Sequence, residues 1–581
     1  MKKITFSVLG VLACFAVGLA QDDNPGPSFT NVSGEMLPGD ATANRLYLHD
    51  LDGDGYPDLI LQQNDPKGPG NNGGVASVFL NRKKGDAREF VEKPGVIPEF
   101  NAGEFADDAR HTAVFTVVGD FNNDGIADLF RPCFQESAEH EKFPDTGERH
   151  GVLLGKKSGS SVKYKLSDAF SEVEPQRTCA VALLDYDRDG NLDVFLGNWY
   201  VAYGKLMDAQ VNRLFKGDGE GGFTDVTETA KLLTKSTPAE KDSSRPTYGA
   251  AACDFNNDGW PDIAVANYGR QWNRLWKNNG DGTFTDVAPE LGVDGDEIRH
   301  GKYPAWAKRQ TEGPWRSNGN TFSLSPADFD NDGDIDLFDA NITHGWAGDS
   351  SDLSCVLVNG GKENDFKFIR LTEPFVRKHA DPNNWNQGDL MSLWGDFDND
   401  GLQDLLLASA AYPDDQRLRL FRQTAEHSFE DVTEKFKLDT VECGHVAIGD
   451  IDLDGDLDIV GVGSKSRFNK REKNEIHIWR NDITEGNWLE LTLDGGGKDC
   501  NRFAYGAKVW VTTGETTMLR EVGASAGHQG VAPPRTLHFG LGDEKTVSIK
   551  VEWPDEKLTT QEFTDIKANQ TLTLKRGGKP K

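Results

Sequence analysis

Asp50, Asp52, Asp54 and Asp58 place four carboxylates within nine residues, with Gly55 at the sixth position. Side chains at positions 1, 3 and 5 of so tight a loop converge, and the glycine permits a reversal that a Cβ would resist. The backbone carbonyl at position 7, here that of Tyr56, and the carboxylate at position 9 complete an oxygen shell. A shell of ~6–8 oxygens at roughly 2.3–2.6 Å suits Ca²⁺, whereas Mg²⁺ demands near-octahedral geometry and keeps its water. Zn²⁺ prefers nitrogen and sulfur ligands.

The pattern recurs six times at intervals of 54 to 74 residues. The second loop offers Asp120, Asn122, Asp124, the carbonyl of Ile126 and Asp128, and the third Asp185, Asp187, Asp189, the Asn191 carbonyl and Asp193. The fourth offers Asp254, Asn256, Asp258, the Trp260 carbonyl and Asp262. The fifth offers Asp328, Asp330, Asp332, the Asp334 carbonyl and Asp336. The sixth and seventh offer Asp396, Asp398, Asp400, Leu402 and Asp404, then Asp450, Asp452, Asp454, Asp456 and Asp458. One such loop would read as an ordinary Asp/Gly turn. Seven of them, each crowding carboxylates that repel, call for a counter-ion and predict about seven Ca²⁺ sites. These would staple a scaffold and imply no catalysis. An EF-hand would need Glu at position 12, where Leu61, Arg131, Leu196, Val265, Asp339, Leu407 and Gly461 stand.

The segments beside the loops (AVFTVVGD, DIAVANY, DLLLASA) are short, apolar and β-branched, as buried strands are. Hairpins such as NRLFKGDGEGGFTDVT from Asn212 and NRLWKNNGDGTFTDV from Asn273 add two more strands with Gly/Asn/Asp turns. Each repeat is then four strands with the acidic loop between the first two, and radial arrays of such units are propellers. The seventh repeat lacks a fourth strand, while residues 29–33 (FTNVS) form a strand with no unit before them. The simplest arrangement has this strand complete the last blade and hide both edges. The expected fold is all-β: a seven-bladed β-propeller with calcium loops over residues 21–482, then a small β-rich domain over 485–576.

The DxDxDGxxD loops with NRLWxNxGDGTFTDV hairpins resemble the FG-GAP/VCBS repeats of integrin-α-type propellers, over roughly 29–482. The stretch from Asn501 to Val509, with Leu537–Gly542, Val551 to Asp555 and Asn569-Gln570, resembles the ASPIC/UnbV domain that follows such propellers in cartilage-acidic-protein-like proteins. That resemblance implies a small β domain of unassigned role. Residues 525–534 (SAGHQGVAPP) depart from its pattern.

The chain has 581 residues and a formal net charge of −31, with 10% aromatic residues and 63 glycines. Such a balance argues against nucleic acid and anionic membranes, which need Lys/Arg, and the aromatic content argues against an acidic disordered tail. Residues 1–20 read as a bacterial-style secretory signal peptide: Lys2 and Lys3, an apolar stretch, then Gly18-Leu19-Ala20. The expected location is secreted or periplasmic, with no membrane insertion after cleavage. Six cysteines remain after cleavage, open to disulfides or to buried thiols, and without CxxC spacing.

On the face opposite the acidic loops, the connections between second and third strands carry Trp199, Tyr200, Tyr268, Trp272, His344, Trp346 and Tyr412. Converging aromatics with Asn, His and Arg are what a glycan or protein ligand needs, although each aromatic alone could equally pack between blades. The reading is a secreted, calcium-binding, non-enzymatic binding or adhesion module for an extracellular protein or glycan. The alternatives are a carbohydrate-active lyase or hydrolase on the aromatic face, or a structural envelope or matrix component. No nucleophile elbow, HExxH or post-strand GxGxxG is present, and His111, His344, His445 and His528 are the only acid/base candidates singled out.

Overall fold

A computed structural model describes residues 28–64, 74–98, 113, 115–134, 149–201, 203, 208–235, 243–313, 316–377, 386–409, 417–438, 440–465, 471–483, 485–523 and 527–581. The leader, His111 and Tyr412 lie outside these. No helix among the described residues is long and apolar enough to cross a membrane.

The described chain is all-β. Seven four-stranded antiparallel units follow one another, the fifth and sixth joined by pairing of Ile342 with Gly388. Their second strands, such as Asp193–Asn198, Asp262–Asn267 and Asp404–Ser409, are buried along their whole length, because each unit is covered by a neighbour on both faces. The first strands face an axis. Thr178–Leu184 packs on Thr247–Cys253, which packs on Asn320–Ala327, then Asn386–Gly395, Cys443–Gly449 and back to Arg45–His49. The approach is close: a Cβ on Gly249 would lie 2.3 Å from the carbonyl oxygen of Phe322. Between the first and second units, Thr116 donates to the Gln62 amide oxygen at 2.9 Å and Gln62 donates to the Ala113 carbonyl at 2.7 Å.

In the seventh unit the outermost strand is the first of the chain. Thr30 and Asn31 pair with Arg480 and Trp479, and the Val32 amide donates to the Ile478 carbonyl at 2.9 Å. Phe29, 2% exposed, packs edge-on against Phe397.

The C-terminal region forms two sheets around Leu489, Leu491, Val509, Val511, Ile549, Val551 and the fully buried Trp553. One places Asn487–Asp494 between Leu537–Gly542 and a parallel Gln570–Lys575, and the other runs through Lys508–Thr513. All six cysteines among the described residues are buried.

Candidate metal centres

In all seven loops the position-9 aspartate is held by two backbone amides. One carboxylate oxygen accepts from the residue at position 2 at 2.8–3.3 Å. The other accepts from the third strand, through the amides of Asn81, Gly155, Gly217, Asn278, Asn359, Gln423 and Asn481, at 2.6–2.8 Å. These aspartates are at most 1% exposed. In six loops the position-1 carboxylate accepts from positions 5 and 6, at 3.0–3.2 and 2.8–3.0 Å. A carboxylate has about four lone-pair directions, so each oxygen engaged by an amide keeps a second for a cation.

Position 3 differs. One oxygen each of Asp52, Asp187, Asp398 and Asp452 is buried with no hydrogen-bond partner. Arg82, Lys216 and Arg422, from the third strands, pair with the other oxygen of Asp52, Asp187 and Asp398 and also with Asp54, Asp189 and Asp400 at position 5. Oxygens of Asp50, Asp52 and Asp58 lie within 4.8 Å of one another, as do those of Asp185/Asp187/Asp193, Asp328/Asp330/Asp332, Asp396/Asp398/Asp404 and Asp450/Asp452/Asp458. Ligands on opposite sides of a bound Ca²⁺ are roughly 4.6–5.2 Å apart, so these groups fit the ion. The loops with Asn at position 3 behave otherwise. Asn122 and Asn256 donate to the position-5 carboxylates of Asp124 and Asp258 at 3.2 and 2.9 Å, relieving the acid crowding from within.

Burial sets the electrostatics. It pushes the carboxyl of Asp58 up to about 7 and that of Asp128 up to about 8, and raises Asp193, Asp262, Asp336, Asp404 and Asp458 well above the carboxylate range. At position 1, Asp120 rises to about 6, Asp328 to about 7, and Asp396 and Asp450 to about 8, burial again first and neighbouring aspartates adding to it. Buried carboxylates at this density need a proton or a cation.

Position 4 carries a role that sequence reasoning missed. Its residue is left-handed in every loop: Gly53, Asn123, Arg188, Asn257, Asn331, Asn399 and Leu453. Four of these are Asn, the non-glycine residue most at ease there, which was the available signal. In five of the seven loops, from the second to the sixth, this side chain links its loop to the next. Asn123 donates to the Gly190 carbonyl at 3.1 Å, Arg188 to Gly259 at 3.3 Å, Asn257 to Gly333 at 3.2 Å and Asn331 to Gly401 at 3.1 Å. Asn399 reaches the Asp456 carboxylate at 2.7 Å.

The C-terminal domain sits on this loop face. Lys508 pairs with Asp254 at 2.9 Å, the Arg502 amide donates to Asn123 at 2.9 Å, and the Gly542 amide donates to the Asn399 carbonyl at 2.8 Å.

On the opposite face the aromatics are distributed unevenly. Trp199 and Tyr200, two of the ligand-face candidates, pack inside: they are 6% and 3% exposed, because Tyr203, Tyr248 and Tyr268 converge on them, with Trp199 and Tyr248 ring centroids 4.0 Å apart. Tyr268, Trp272, His344 and Trp346 are half-buried. His344 stacks on Trp346 at 4.9 Å, and the Arg309 guanidinium lies 3.9 Å over the same indole. Among the described residues, Tyr203 and Trp306 are the large aromatics most open to solvent, at 54% and 47%.

The FG-GAP-like repeat matches residues 50–130, 254–338 and 396–461, each match opening on a position-1 aspartate. Residues 497–581 match the ASPIC and UnbV family. The chain carries FG-GAP-like repeats and a C-terminal ASPIC/UnbV domain. The ASPIC/UnbV match starts beyond Asn487–Asp494, a strand that the structure places in the same domain. The chain is similar to cartilage acidic protein 1 of Homo sapiens, 26% identical over 68% of this chain and 53% of that one. It is 24% identical to the Xenopus tropicalis protein over 94% of this chain and 77% of the other. The chain thus spans about half the length of the human relative it matches. Among solved structures, Trypanosoma rangeli sialidase is similar at a TM-score of 0.34 and 10% identity, covering 81% of this chain and 91% of that one; at this level the likeness carries no argument.

Proposed function

We propose that this protein is an exported β-propeller whose acidic loops hold Ca²⁺ and whose remaining surface binds an extracellular protein or glycan without catalysing its conversion. The observation that carries the calcium assignment is the recurrence of one buried, partnerless carboxylate oxygen at position 3 in four loops, inside groups of oxygens spaced for the ion. Asp, Asn and backbone carbonyl donors are the hard oxygen set that Ca²⁺ takes. When bound, the ion supplies positive charge to carboxylates that otherwise stay buried against one another.

The protein's own residues do the rest. Position-9 carboxylates tie the loop to the third strand, position-1 carboxylates fix the turn, and position-4 side chains pass the arrangement from loop to loop. An ion held by a folded loop and not by the unfolded chain stabilises the fold by mass action. The similarity to cartilage acidic protein 1 and the leader-like residues 1–20 both support an extracytoplasmic setting.

For the ligand, the proposed surface is the face opposite the loops, where Tyr203 and Trp306 are exposed beside half-buried Tyr268 and Trp346. Tyr and Trp are enriched where binding energy concentrates. The test is a panel of immobilised glycans and matrix proteins probed with the full chain and with Trp306→Ala and Tyr203→Ala. Saturable binding weakened about tenfold by either substitution supports the surface. Turnover of a glycan would instead establish the enzymatic alternative.

A further inference from the structure

Between Thr516–Glu521 and Leu537–Gly542 the C-terminal domain sends a segment into the axis of the seven-unit array. Residues 527–531 touch every unit. His528 forms a β-bridge with Ala180, and the Gln529 amide donates to the Cys179 carbonyl at 3.2 Å, as if adding residues to the third unit's inner strand. The Gln529 side chain accepts from Arg45 at 2.7 Å and its carbonyl accepts from the Tyr47 hydroxyl at 3.1 Å. His528 meets the Tyr248 carbonyl at 3.0 Å and packs edge-on against Tyr248 and Phe322. Val531, 2% exposed, belongs to the apolar cluster of Met391, Leu393 and Val446. His445 lies 3.5 Å from the Gln529 carbonyl.

The fit depends on small residues at two places. Gly530 has φ +76°, and a Cβ there would lie 2.5 Å from the Thr116 carbonyl. A Cβ on Gly527 would lie 2.5 Å from the Cβ of Ser323. Gln529 and Gly530 are both left-handed, at φ +54° and +76°, and close a turn in which the Val531 amide donates to the His528 carbonyl at 3.4 Å. These are the properties of a peptide site: main-chain bonding to one inner strand, a turn seated in the channel, a pocket for one aliphatic side chain, and a polar clamp on one amide side chain. We infer that the axial channel is a peptide-binding site, filled in this chain by its own residues 527–534, and that it takes uncharged, turn-forming peptides of the pattern Gly-His-Gln-Gly-aliphatic whenever that segment is withdrawn. The site is separate from the solvent-exposed aromatic face, and its test does not require metal.

The test uses the full chain carrying Gly530→Val, whose side chain has no room beside Thr116, and a fluorescently tagged peptide of residues 527–534 followed by anisotropy. Saturable binding to the variant, at least tenfold weaker for a scrambled peptide and absent from the parent chain, is expected. Equal binding to parent and variant, equal binding of the scrambled peptide, or no binding to a folded variant overturns the assignment. If Gly530→Val does not fold, Gln529→Ala combined with Val531→Ser weakens the grip without a clash and should take up the same peptide. Amide exchange of the parent chain gives an independent reading: the Gln529 amide should exchange as slowly as those of Thr178–Leu184, and exchange at the rate of an open loop would contradict a seated segment.

Discussion

Lys508, on the C-terminal domain, and Asp254, the first residue of the fourth acidic loop, form an ion pair of 2.9 Å in which both side chains are nearly inaccessible, at 3% and 6%. The same ammonium reaches the Asn257 side-chain oxygen at 2.5 Å. The domain therefore reads the loop that it covers. Removing one partner leaves a buried charge unpaired, which costs roughly 3–5 kcal/mol. In the calcium-free protein, Lys508→Met is expected to lower the urea midpoint of the C-terminal domain, and Lys508→Arg, which keeps the charge, to retain most of it. A Lys508→Met midpoint within error of the parent would contradict the pairing.

Positions 3 and 9 of one loop should separate metal binding from folding. Asp193 accepts amides on both oxygens, at 2.8 Å each, and Asn cannot accept on its nitrogen. Asp193→Asn is expected to destabilise the calcium-free protein by about 1–3 kcal/mol, the cost of a buried unsatisfied amide. Asp187 instead keeps one oxygen without any partner. Asp187→Asn should leave calcium-free stability within about 1 kcal/mol, within the usual range of a near-surface change, while lowering bound calcium by about one ion per chain. Chemical denaturation with and without chelator distinguishes the two, and equal effects would count against the division of roles.

Much of this division was legible. Repeated Asp at positions 1, 3, 5 and 9 with Gly at 6 marks the loops, since both residue type and spacing are dictated by local geometry. Four-stranded units follow from apolar runs such as Asp262–Asn267, and the orphan strand at residues 29–33 from its lack of partners in sequence. The position-9 amide contacts were not legible at Gly155, whose amide serves by its place on the third strand, whereas Asn81, Asn278, Asn359 and Asn481 carried a signal, since their side chains also bond the preceding loop. Residues 527–534 look like an ordinary Gly/Pro loop. Their burial comes from strands hundreds of residues away, such as Arg45–His49, which no local pattern encodes.

The axial segment should be acid-sensitive. Burial, opposed by the Tyr248 carbonyl and assisted by Arg45, holds the His528 imidazole down at about 3. The folded state binds fewer protons there than the unfolded chain, so its stabilising share is complete above the unfolded pKa of about 6.5 and is lost as pH falls toward 3. Stability of the parent chain relative to His528→Gln should fall by up to about 1.4 kcal/mol per pH unit between pH 6 and 4. Urea midpoints at three pH values check this, and a pH-independent difference would contradict a buried neutral imidazole.

Chelation should loosen the C-terminal domain before the rest. The Arg502 amide donates to Asn123 at 2.9 Å and the Gly542 amide to the Asn399 carbonyl at 2.8 Å, both partners at position 4 of an acidic loop. With the ions removed, these two amides should exchange with solvent at least tenfold faster. Amides of residues 264–267, toward the end of the Asp262–Asn267 strand opposite its acidic loop, should change little. Uniform protection of all three would show that docking ignores the loops.

The most direct measurement is elemental analysis of the purified, folded full chain after dialysis against millimolar calcium, paired with a calcium titration followed by thermal denaturation. The account predicts several calcium ions per chain, up to about seven, and a melting temperature that climbs through the ~10⁻⁴–10⁻³ M range typical of extracellular modules. A folded protein that retains no calcium and melts at the same temperature with calcium or with chelator would contradict it.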